Sequence, residues 1–387
     1  MNLIPRAAEP TIRRLAGGFP VVALVGPRQS GKTTLARAVF PDRPYVSLED
    51  PEERAFALAD PRGFLARFAD GAVLDEVQRV PDLFSYLQGM VDQRGRMGEF
   101  VLTGSQQFGL VASVTQSLAG RVGLVNLLPL SQQELAAAGR APRTLEEALW
   151  RGGYPALHAR RVDPPDWFAN YVATYLERDL PQVLTVRDLG LFQRFLKMCA
   201  ARTGQLLNLS ALAADCGITH PTARQWITVL QASGIVHLLP PYHRNFGKRL
   251  VQTPKIYFLD AGLAGWLLGV RDDASLATHA ARGPLFESWV VAEFIKHAFN
   301  RGQSAELYFW RDSAGHEVDL LRPVAGRLQP IEIKSGATFA ADWLSSLQRW
   351  CALTGSEAAE PGLIHGGTLE GTREGVRLIG WMALGRP

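Results

Sequence analysis

The stretch that most restricts what this chain can fold into is VVALVGPRQSGKTTLARAVF, residues 21–40. Five apolar, mostly β-favouring residues end at Val25 and a helical run begins near Lys32, so Gly26, Pro27, Arg28, Gln29, Ser30 and Gly31 must join strand to helix. Such a loop turns its backbone N–H groups toward one anion, and the helix N-terminus adds positive charge. The spacing satisfies GxxxxGK[ST] at Gly26, Gly31, Lys32 and Thr33, with Thr34 next to it. In that pattern the lysine reaches terminal phosphates and the threonine hydroxyl ligates Mg²⁺.

Two further apolar runs supply context. GAVLDEVQ ends in Asp75-Glu76, the acidic pair expected where a neighbouring buried strand delivers a carboxylate to organise Mg²⁺ and a base for water. EFVLTGSQQ ends in Thr103, Ser105 and Gln106, polar groups able to sense a γ-phosphate. A polar, helical LVASVTQSLAG follows, then Arg121, then the strand VGLVNLLPL. That order resembles the AAA+ ATPases, in which an arginine before the final strand reaches a neighbouring subunit's nucleotide. The resemblance gives Arg121 that role; pairing with a nearby carboxylate is the other reading.

YVSLEDPEERAFALADP, SLAGRVGLVNLLPLSQQEL, RGGYPAL and NYVATYLERDLP extend the likeness over nearly the whole chain. Together they resemble a large prokaryotic family of AAA+ ATP-binding proteins with a C-terminal domain of unknown function. The resemblance implies ATP with Mg²⁺ rather than GTP, and no guanine-selecting Asn-Lys-x-Asp is present. It also implies a homo-oligomeric ring, a hexamer being one form.

Length and composition fit this. At 387 residues, 47% hydrophobic and 20% charged, the chain is an ordinary globular one of two or three domains. No apolar run approaches the roughly 20 residues that span a bilayer, and MNLIPRAAEPTIRRLAG lacks a secretory core, so a cytoplasmic protein with no membrane partner is expected. Cys199, Cys216 and Cys351 are far apart and read as buried thiols. The net charge of +4 is unevenly spread. From Arg187 to Phe258, nine basic residues (Arg187, Arg194, Lys197, Arg202, Arg224, Arg244, Lys248, Arg249, Lys255) face only Asp188 and Asp215. A polyanionic partner, or merely a charged surface, accounts for that.

Within that basic segment, residues 207–242 read as a short helix, a tight turn at Cys216-Gly217-Ile218 and a second helix capped by Thr219, with Ala223, Ile227 and Leu230 at helical spacing. GIVHLLPPY and KIYFLD pair as strands around the basic tip HRNFGKRLVQT, giving a winged helix. Thr222, Arg224 and Gln225 would then face a DNA groove while Arg244, Lys248 and Arg249 touch phosphates. Winged helices also serve as protein–protein modules.

The last third opens with the helical GPLFESWVVAEFIKHAF and continues as three strand-like runs, AELYFW, HEVDLLRP and LQPIEIKSG. Glu332 and Lys334, two apart, share one strand face, with Asp319 on the run before. Asp319 and Glu332-Ile333-Lys334 resemble the D…(D/E)xK signature of restriction-endonuclease-like nucleases, with Glu287 as the additional acid. In that chemistry carboxylates hold one or two Mg²⁺ ions and the lysine orients the attacking water. A hairpin that happens to carry these charges is the plain alternative. Glu293 and Glu317 are rival acids, and His316 reads as a loop-end polar residue.

The expected fold is therefore α/β: a P-loop AAA+ ATPase domain over residues 1–160, a helical winged-helix middle over 161–270 and a restriction-endonuclease-like α/β domain over 271–387. The expected function is ATP hydrolysis coupled to DNA binding, with remodelling or Mg²⁺-dependent cutting. The competing class is a nucleotide-switched scaffold or regulatory protein whose nuclease-like domain is inactive. A P-loop kinase is disfavoured, since no Arg-rich lid or acceptor pocket is evident.

Overall fold

The computed structural model describes residues 3–104, 117–175, 189–242 and 252–386. Its first sheet is wholly parallel: β1 (Val21–Val25), β2 (Tyr45–Ser47), β3 (Ala72–Asp75), β4 (Phe100–Gly104) and β5 (Val122–Asn126), in the order β2-β3-β4-β1-β5. Every residue of β1, β3 and β4 is buried, as continuous apolar runs must be when helices cover both faces of a sheet. Alternate residues feed two cores. Val21, Ala23 and Val25 pack with Leu74, Leu102 and Phe84, whereas Val22 and Leu24 pack with Ile12, Leu35 and Val101. The strand carrying Asp75 is not β1's neighbour, as the sequence suggested: β4 lies between them.

The middle segment forms the expected pair of helices, Leu209–Cys216 and His220–Ala232. Gly217 ends the first in the left-handed conformation, and the Thr219 side chain accepts the Thr222 N–H to start the second. Ala223, Ile227 and Leu230 are buried, and Trp226 meets Phe192 and Phe195 edge-to-face. Three short antiparallel strands, β6 (Gln205–Leu206), β7 (Val236–Leu239) and β8 (Lys255–Phe258), complete it in the order β6-β8-β7. The basic tip with Arg244, Lys248 and Arg249 lies outside the described residues.

In the last third, the long helix Arg282–Asn300 precedes β9 (Tyr308–Arg311), β10 (Glu317–Val324) and β11 (Arg327–Lys334). After the helix Ser345–Thr354 come β12 (Gly362–His365), β13 (Gly371–Arg373) and β14 (Val376–Gly380). The six strands run β13-β14-β12-β11-β10-β9, antiparallel from β9 to β11 and parallel from β11 through β12 to β14. Leu320, Ile331 and Ile333 point to the long helix and share one apolar cluster with Phe258, Leu263, Phe286 and Trp289. The middle and last segments are thus joined by a common core. On the other face Val318, Leu321 and Leu363 pack with Leu347, Trp310 and Trp350. Cys199 and Cys216 are buried, but Cys351 is only half-buried, packed at the edge of the cluster around Trp350. Among the described residues no helix is long and apolar enough to cross a membrane.

Candidate functional site

The loop between β1 and its helix is shaped by one close approach. At Gly26, φ is +146°, and a Cβ there would sit 2.2 Å from the Leu127 carbonyl oxygen, so no other residue fits. Gln29 (φ 61°) and Gly31 (φ 96°) take left-handed turns before the helix Lys32–Val39 begins. Lys32, 6% exposed, folds back over the loop and donates to the carbonyls of Gly26 (3.1 Å) and Pro27 (2.8 Å). Thr33 Oγ1 donates to Asp75 Oδ1 at 3.0 Å. Asp75 is further oriented by Tyr45, whose hydroxyl donates to Oδ2 at 2.9 Å, and by the Thr103 hydroxyl. Thr103 is thereby turned to the carboxylate rather than to a phosphate. Burial, then the Asp75 charge, pushes the Tyr45 hydroxyl up to about 12.

Glu76 sits in the left-handed region (φ 53°) at the end of β3. Burial raises its carboxyl above the ordinary value, against the opposing pull of Lys32. Gln78 Nε2 donates to its Oε2 at 2.5 Å. Gln29, Lys32, Thr33 and Glu76 line one end of a cavity of about 470 Å³, and Ile4, Leu130 and Ala156 form its apolar end. The donors suit a nucleotide and its metal. A hydroxyl and a carboxylate are hard oxygens of the kind Mg²⁺ takes, and Ser30 Oγ is buried with no hydrogen-bond partner among the described residues. Arg28, Gly31 and Thr34 also line this cavity; Ser105 lies outside the described residues.

Arg6 was not legible as part of this site, since nothing in its local sequence marks it. It is 8% exposed and donates to Ser30 O (2.7 Å), Leu128 O (2.7 Å) and Glu134 Oε1 (2.8 Å). Arg160, at the cavity rim, escaped notice for the same reason. Arg121 stands just before β5 as read, and makes the alternative contact: Nε to Asp92 Oδ1 at 2.5 Å and Nη2 to Oδ2 at 2.8 Å. It does not line its own chain's cavity. In the middle segment Arg224 and Gln225 are exposed, whereas Thr222 is half-buried and shares a 2.8 Å hydroxyl contact with Thr219.

The third group converges on a cluster of acids and lysines. Asp319 Oδ2 accepts the Ile333 N–H at 2.8 Å, and Lys334 Nζ reaches Glu332 Oε1 at 2.5 Å. Burial, then the charges of Glu332 and Glu287, holds the Asp319 carboxyl well above the usual range. Glu287 accepts from Tyr257 OH at 2.5 Å and from Lys255 Nζ at 3.1 Å. Lys255, 3% exposed, also pairs with Glu317, two residues from Asp319 on the same strand. Among the described residues no three Asp, Glu, His or Cys side chains stand close enough to hold a metal ion. Lys255 and Lys334 are the cations among Glu287, Asp319 and Glu332. Lys255 belongs to the basic segment read for a polyanionic partner or a charged surface, and the sequence signal of its inward position is its two-residue spacing from Tyr257 on one strand face. The rival Glu293 lies apart, bonded to Lys296 and the Gln132 N–H, and His316 holds Asp312 at the β9–β10 turn.

Comparison with known proteins follows this division. Residues 18–136 match the AAA domain, residues 142–274 a domain of unknown function (DUF8612) and residues 282–383 another (DUF4143). The uncharacterized proteins Rv2008c of Mycobacterium tuberculosis and Mb2031c of Mycobacterium bovis are each 35% identical over 338 residues, covering 86% of this chain and 74% of theirs. Among solved structures, the Walker-type ATPase PABY2304 of Pyrococcus abyssi is similar with a TM-score of 0.45 at 15% identity, over 69% of this chain and 96% of that one. The Thermotoga maritima RuvB Holliday junction branch migration motor gives 0.29 at 19%, over 60% and 89%.

Proposed function

This chain belongs to the family of the mycobacterial protein Rv2008c and carries an AAA-type domain, and from that premise we propose that it binds ATP with Mg²⁺ and hydrolyses it in the cavity above β1. The observation that carries this reading is the contact between Thr33 Oγ1 and the Asp75 carboxylate at the loop whose Ser30 hydroxyl is buried with no hydrogen-bond partner among the described residues. Bound Mg²⁺ would neutralise the charge of the terminal phosphates. The loop from Gly26 to Gly31, Pro27 apart, would give backbone donors to the phosphates, Lys32 would leave its two carbonyls to pair with them, and Asp75, fixed by Tyr45 and Thr103, would hold the metal shell. Glu76 takes a proton from the attacking water. Lys32→Ala and Glu76→Gln are each expected to lower phosphate release by about 10²-fold or more; unchanged turnover in both would refute the assignment. A cytoplasmic location is the one this reading goes with, ATP being its fuel.

DNA as the partner is supported by the exposed Arg224 and Gln225 on a helix that begins after a tight turn. A homo-oligomeric ring would give Arg121 its acceptor, with a neighbour's phosphates drawing it from Asp92. For the C-terminal domain we favour a platform that does not cut, because lysines already neutralise Glu287 and Glu332. Linear, single-stranded and branched DNA are expected to survive incubation with Mg²⁺ or Mn²⁺. Cleavage that disappears in Asp319→Asn would restore the cutting alternative.

A further inference from the structure

At the far end of the long helix Arg282–Asn300, positive charge accumulates without acids to match. Arg322 on β10 lies over the Phe294 ring, 5.1 Å from its centroid, and donates Nε to Gln329 Oε1 at 2.6 Å. The strand register sets Arg322 opposite Gln329, Ile331 opposite Gly362, and Gly362 opposite Arg377. Residues directly opposite share a face, as do residues two apart along a strand, so Arg322 and Gln329 lie in one row and Arg377 in the next, with Ile331 and Gly362, on the same face of the sheet. Gly362 between them is buried, packed against Ile331 and Ile379. His297 and Arg301, one helical turn apart, are exposed.

None of Arg301, Arg322, Arg377 and His297 forms an ion pair with a carboxylate among the described residues. Their mutual effect is repulsive. Arg322 holds its proton less tightly than usual because of burial and then Arg377, and His297 because of burial and then Arg301 and Arg322. A surface that keeps like charges together, with one guanidinium fixed in plane by a ring and an amide, is organised for anions that come in series.

We infer that this face seats the phosphate backbone of a nucleic-acid strand, with the Arg322 fork on one phosphate and Arg377 and Arg301 on its neighbours. The inference rests on DNA as the partner and deepens it by assigning the C-terminal domain its own binding face. A nucleic-acid backbone presents charge at a regular interval to several arginines of one face, whereas carboxylates on a protein surface match such a group only by accident.

Fluorescence anisotropy on the full chain tests it, using single-stranded DNA, duplex DNA and RNA oligonucleotides over a salt series, with a polyglutamate peptide as the acidic-protein arm. Arg301→Met with Arg377→Met, both at exposed positions, is expected to weaken oligonucleotide binding about tenfold or more. It should also flatten the dependence of log affinity on log salt by about 0.7–0.9 per arginine. Arg322→Lys keeps the charge and is expected to lower affinity with little change in that slope. Wild-type binding left intact by all three substitutions would overturn this face while leaving DNA as a partner elsewhere. No binding by the wild type would overturn both. Substitutions that weaken only the polyglutamate complex would reassign the face to an acidic protein.

Discussion

Glu76 concentrates the chemistry of the nucleotide site in one side chain. A left-handed φ on a non-glycine residue costs on the order of 1–3 kcal/mol, and here it turns the carboxylate beside Asp75 toward the cavity. Because burial raises its pKa above the ordinary 4.5, hydrolysis by the wild type should climb with pH through a midpoint above that value as the base form appears. Glu76→Gln should lack that limb in a pH–rate profile; a wild-type rate flat across this range would argue against Glu76 as the base. The same shift bears on stability. A carboxyl raised on folding stabilises the fold below its unfolded pKa, and that contribution is lost as pH rises through the folded value. The residues of this site that were legible, from Gly26 to Thr33 and Asp75-Glu76, are those whose roles are fixed by local backbone geometry. Tyr45, Thr103 and Arg6 act by reaching across the sheet or from the chain's first turn, and no local pattern encodes that reach.

At the scale of elements, periodicity revealed the strands and the helix pair, while the way they lock together came only with tertiary contact. β8 illustrates this. Its Lys255 and Tyr257 emerge on one face, and both bond Glu287 of the long helix, tying the middle sheet to the C-terminal domain. Burial alone would pull the Lys255 ammonium toward neutrality, but Glu287, Asp319 and Glu317 more than reverse it, so the lysine stays charged. Removing one member of such a pair strands a buried charge. Lys255→Met should therefore cost about 3–5 kcal/mol in chemical denaturation, and adding Glu287→Gln should recover part of the loss. Strictly additive effects would mean the contact is not a lock. The RGGYPAL segment has an analogous explanation. Gly152 has φ +66°, and a Cβ there would lie 2.3 Å from Asp260 Oδ1, while Asp260 Oδ2 accepts the Gly153 N–H at 2.7 Å.

Across the whole molecule, the turn that follows β5 is gripped from two sides by buried ion pairs. On the nucleotide side, Glu134 pairs with Arg6 and accepts the Ser131 N–H at 2.8 Å. On the other, Glu293 of the long helix accepts the Gln132 N–H at 2.7 Å, and Lys296 donates to Leu130 O at 2.9 Å. Hydrogen bonds therefore run from the Ser30 carbonyl in the phosphate loop to the helix that carries Glu287. This connection is not legible in the sequence, because its partners are separated by 128 and 161 residues. All of it has meaning only if the loop holds a nucleotide. Calorimetric titration of the folded chain with Mg-ATP is the most direct measurement: the account predicts saturable binding by the wild type and none by Lys32→Ala at the same concentrations. Absence of heat in the wild type, or equal heat in the variant, would contradict it.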